Sequence, residues 1–79
     1  MNETLSELNL PGAIRAQASK LLAAINNASG LGELLRDTGR AEGFVLGIET
    51  LNALNAADVE HLSIVLETAA HNRYVELGG

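Results

Sequence analysis

The side chains able to do chemistry in this sequence form one basic and one acidic group. Arg40, Arg73 and Tyr74 could hold a phosphate or a carboxylate, because guanidinium forks bind such anions and a phenol adds a donor. Asp37 competes for that role: an ion pair between Asp37 and Arg73 would close a helical hairpin and neutralise two charges that are costly to bury alone. Glu42 and Glu49 stand seven residues apart on one helix face, and Glu60, Glu67 and His71 share a face of another. These four glutamates suit the steering of a basic patch on a larger protein. Glu67 and His71 are four residues apart, which is not the Glu-x-x-His step of carboxylate-bridged metal clusters, so that face reads as solvated.

Other chemistry lacks its motifs. The chain has no Gly-x-Ser-x-Gly elbow, His-Glu-x-x-His pair, Walker loop or dinucleotide fingerprint, so no catalytic residue and no cofactor is assigned and no enzyme is expected. Without cysteine there is no disulfide, thiolate ligand or thiol nucleophile, and His61 and His71 alone make a structural zinc or other metal site unsupported. Five basic against ten acidic residues give a net charge of -5 with no basic run, which argues against nucleic acid and anionic membrane as partners. No apolar run is long enough to cross a bilayer, and the N-terminus lacks the charged start and apolar core of a secretory signal. A cytoplasmic protein is expected.

Three helices are needed to position these residues. Composition favours them, since the 47% apolar content is carried by Leu, Ala, Val and Ile while Phe44 and Tyr74 are the only aromatics. Residues 1–10 read as an N-terminal arm, with a capping box at Thr4 and Glu7 and with Leu5, Leu8 and Leu10 able to anchor it. Residues 11–79 read as a single helical domain. Pro11 opens a helix over 11–27 on which Ile14, Ala18, Leu21, Leu22 and Ile25 recur at helical spacing. A second helix runs to Leu54, kinked or broken near Gly39, where its apolar stripe shifts from Leu31, Leu34 and Leu35 to Phe44, Ile48 and Leu51. Asn55 caps a third helix over 56–77 bearing Val59, Leu62, Leu66, Ala69, Ala70 and Leu77 on one face. Its short link to the second helix predicts an antiparallel helical hairpin. The expected fold is therefore all-α, with three helices, or four if Gly39 ends one.

The stretch 39–54 organises the rest. Gly39, Gly43 and Gly47 recur every four residues and would form a groove without side-chain bulk, suited either to close packing within the chain or to a seam with another helix. Phe44, Leu46, Ile48, Leu51 and Leu54 point in nearly all directions around the same helix, more than one 79-residue chain can readily cover. A homo-oligomer, a dimer first of all, sharing these residues as its interface is the expected state. In size, acidity and helix content the chain resembles the small accessory proteins of bacteria and their phages. The leading expectation is an acidic helical protein-binding module, an adaptor or inhibitor of a larger protein; a binder of anionic small molecules and a structural oligomerisation domain are the alternatives.

Overall fold

The computed structural model describes residues 5–78, apart from the side chain of Glu7. Among them are a 3-10 turn, Leu5–Glu7, and three α-helices: α1, Gly12–Asn26; α2, Leu31–Thr50; and α3, Ala56–Glu76. No described residue is in a strand. The three helices pack around one core built from Ala18, Leu21 and Ile25 of α1, Leu34, Ala41 and Ile48 of α2, and Val59, Leu62, Val65 and Leu66 of α3. The expected capping box at Thr4 and Glu7 lies outside the described residues.

Helix starts follow local chemistry. Asn55 caps α3 by accepting from the Asp58 amide at 2.8 Å, so one otherwise orphaned N–H is satisfied and a carboxylate stands at the positive end of the helix. The α2 start has Gly30 at the cap position with no side chain to offer. Glu33 instead reaches back one turn to the amide and hydroxyl of Ser29, each at 3.2 Å.

The C-terminus of α2 differs from the expectation. The helix stops at Thr50 rather than Leu54, because Asn52 takes a left-handed conformation (φ 51°). Its amide then bonds the Glu49 carbonyl at 3.1 Å, and the Ala53 amide bonds the Ile48 carbonyl at 3.0 Å. This is a Schellman ending with asparagine where glycine is usual, one of the few residues that tolerate that backbone. At its middle, α2 is continuous through Gly39, so the fourth helix does not form.

Two arginines tie the ends together. Arg15 donates to the carbonyls of Leu5, at 2.7 Å, and Leu8, and Leu5, Leu8 and Leu10 are buried in the common core. The arm is thus held against α1 by charge-assisted hydrogen bonds as well as by its leucines. Arg73, near the end of α3, donates from Nε to the carbonyl of Ala28 at 2.9 Å. That contact places the end of α3 beside the start of α2, as an antiparallel hairpin joined by residues 51–55 requires.

Candidate functional site

Burial on α2 follows an unexpected stripe. Its buried residues are Leu34, Asp37, Ala41 and Ile48, at helical spacing, while the larger Leu31, Leu35 and Leu46 are 48%, 64% and 63% exposed. Ile48, expected at an oligomer interface, belongs to the core of its own subunit. Phe44 and Leu54 are partly buried against that core, so they too find cover within the chain. Leu51, also expected at the interface, is 79% exposed where the helix ends. Of the expected interface set, Leu46, Leu51 and the glycines remain open. A methyl group built on Gly39, Gly43 or Gly47 meets nothing within 4 Å, so no described residue fills the groove they leave.

The basic group is not assembled into a site. Arg73 is committed to Ala28 and to Glu76, whose carboxylate lies 3.2 Å from Nη1. Asp37 is buried beside Arg40, with Nη1 3.9 Å away, so the expected Asp37–Arg73 pair does not form. The reason is axial position: Asp37 lies nearly two turns into α2, whereas Arg73 reaches the loop before that helix. Arg40 and Tyr74 are exposed, and none of Arg40, Arg73 and Tyr74 lines either of the clefts described next.

The acidic group is assembled. Between α2 and α3 lies a cleft of about 270 Å³ floored by Ile25, Ala41, Val45 and Leu66, with the exposed Leu46 on its lip. Thr38 and Ser63 add hydroxyls, and Glu42, Glu49 and Glu67 stand at its edge. A second depression shares Glu49, Ser63 and Glu67 with it and continues past Glu60 to Leu54 and Val59. All four glutamates singled out by spacing therefore line one groove, and no Lys, Arg or His lines it. None of the four forms an ion pair with a described residue. Exposed carboxylates of one sign without a counter-charge concentrate cations nearby. The described residues contain no group of three or more His, Asp or Glu side chains placed to hold a metal ion.

Sequence reasoning named the four glutamates but missed Thr38, Val45, Ser63 and Leu66 between them. A signal was present: Glu60, Ser63 and Glu67 follow helical spacing, as do Glu42, Val45 and Glu49, and an antiparallel hairpin turns one row toward the other. The fold and site together define an all-α three-helix bundle with an acid-lined groove. Among known protein families, curated proteins and solved structures, none matches this chain. None of its described helices is long and apolar enough to cross a membrane.

Proposed function

We propose that this chain is a self-associating protein-binding module that receives a basic, amphipathic segment of a larger protein in the groove between α2 and α3. One observation carries the reading: Glu42, Glu49, Glu60 and Glu67 converge on a single groove with an apolar floor and no basic side chain. A segment with leucine-like residues on one face and Lys or Arg on its borders would bury the former on Val45, Leu46 and Leu66. Its cations would meet carboxylates that have no counter-charge of their own, which favours fast, salt-sensitive association. The self-association rests on the apolar face that α2 leaves uncovered. The anionic-ligand alternative gains nothing here, because Arg73 is occupied by internal contacts.

The test uses a synthetic amphipathic Leu/Lys peptide and its Leu/Glu counterpart, titrated by fluorescence anisotropy at low and high salt. The Leu/Lys peptide binds, the Leu/Glu peptide does not, and affinity falls as salt rises. Replacing Glu42, Glu49 and Glu67 by Gln weakens binding at least tenfold, roughly 1.4 kcal/mol. Replacing Glu33, Asp58 and Glu76 by their amides changes net charge equally but leaves most of the affinity. Equal losses in the two triple variants would reduce the interaction to net charge and refute the groove.

A further inference from the structure

We infer that the partner segment is helical and seats one tryptophan side chain in the cleft over Ala41, with a basic residue one turn to either side of it. This deepens the proposed function and rests on its reading that a basic, amphipathic segment lies between α2 and α3. The cleft sits where α2 thins: along its buried stripe Leu34 and Ile48 fill the space toward the core, whereas Ala41 between them ends at a methyl group. Ala41, with Ile25 of α1 and Leu66 of α3, floors the cleft, so an occupant would rest on the bundle core itself. At about 270 Å³ the cleft falls just short of the roughly 300–1,000 Å³ typical of sites that enclose a whole drug-sized ligand. That is room for a single large side chain.

The cleft walls select which side chain. Thr50, further along α2, commits its hydroxyl to the Leu46 carbonyl at 2.8 Å. The hydroxyls of Thr38 and Ser63, which line the cleft, have no hydrogen-bond partner among the described residues. A purely aliphatic occupant would strip water from these oxygens and give no bond in return, which is costly. Tryptophan joins a large apolar body to one N–H donor, and it is enriched among the buried anchors of interfaces. Carboxylates set the flanks. Glu42 and Glu49 are seven residues apart, about 10 Å along the helix axis, and Val45 on the cleft floor lies between them, three residues from one and four from the other. Glu67 stands at the same cleft, and Glu60 lies beyond it, nearer the link between α2 and α3. A helix laid along α2 matches this ladder with Lys or Arg three or four residues before and after its tryptophan, all on one face.

The chain contains no tryptophan, so the indole of an added peptide is the only one in solution. Two helical peptides of identical composition are titrated at low salt. In the first, tryptophan lies on the Lys-bearing face with a Lys one turn before and one turn after it; in the second it changes places with an alanine two residues away, which moves it to the opposite face. The first should bind roughly tenfold more tightly, with its emission moved to shorter wavelength, while the second binds through charge and keeps the emission of exposed indole. Combining Thr38→Val with Ser63→Ala keeps the shape of the cleft and removes both hydroxyls. It should remove most of the first peptide's advantage and leave the second peptide's affinity unchanged. Equal affinities for the two peptides would overturn the anchor while leaving the groove reading intact, because both still bind. An advantage that survives the double variant would overturn the hydrogen-bonded seat. Failure of both peptides to bind would overturn the anchor together with the reading beneath it.

Discussion

Replacing Gly39, Gly43 and Gly47 together by alanine separates what the subunit needs from what its outer face needs. Each glycine lies inside α2, where alanine is favoured by about 0.8–1.0 kcal/mol through a smaller loss of backbone entropy on folding. That gain is realised only where the new methyl has room, and at all three positions nothing lies within 4 Å. Summed over three sites the isolated subunit should gain about 2.5–3 kcal/mol, equivalent to roughly 10–20 °C in melting temperature for a domain of this size. Urea denaturation at low micromolar concentration, where self-association is negligible, measures this directly. Self-association through the uncovered face of α2, as proposed, would bring a second chain against these methyl groups, so sedimentation at high concentration should show weaker association of the same variant. A variant neutral or destabilised at low concentration would refute the reasoning, because some part of the subunit would then occupy that side of α2.

Three further outcomes follow from particular contacts. Arg73→Met keeps the aliphatic stem but removes the donor to the Ala28 carbonyl, at a residue fully buried, and should cost about 1.5–3 kcal/mol in chemical denaturation. Glu76→Gln, which removes only the exposed ion pair, should cost at most about 0.5 kcal/mol in the same assay. Asn52→Val forces a β-branched side chain into the left-handed position and should destabilise by about 1–2 kcal/mol, whereas Asn52→Gly should be neutral or stabilising.

Much of this architecture is legible in the sequence because it is written in local terms. Pro11, the turn formers around Ser29 and Gly30, and the Asn55 cap each act within one helical turn, so the starts of the helices follow from neighbouring residues. The stripe on α1 is legible for a related reason: Ala18, Leu21 and Ile25 are the most apolar side it has, and that side is buried. On α2 this logic fails. The buried side takes the expected Leu34 and Ile48 but also Asp37 and Ala41, while Leu31, Leu35 and Leu46 remain outside, so hydrophobicity alone selects only part of the face. Selection of the inner face depends on how α1 and α3 enclose the helix, a tertiary effect that no window of neighbouring residues contains. Arg73 was misassigned similarly. Its charge predicts a carboxylate partner on α2, yet it bonds a loop carbonyl forty-five residues away and a carboxylate, Glu76, on its own helix. The four glutamates were visible by spacing, but their convergence on one groove required the hairpin to bring two rows face to face.

The central claim is that a cationic, amphipathic segment lies in the groove between α2 and α3, and its location can be read residue by residue. In a chain of 8.3 kDa, amide chemical shifts followed by NMR during titration with the Leu/Lys peptide report which residues it touches. The largest changes should fall on Val45, Leu46, Glu49, Ser63, Leu66 and Glu67, saturating together with one affinity. Changes centred instead on Arg73 and Tyr74, or scattered evenly over every exposed carboxylate, would contradict it.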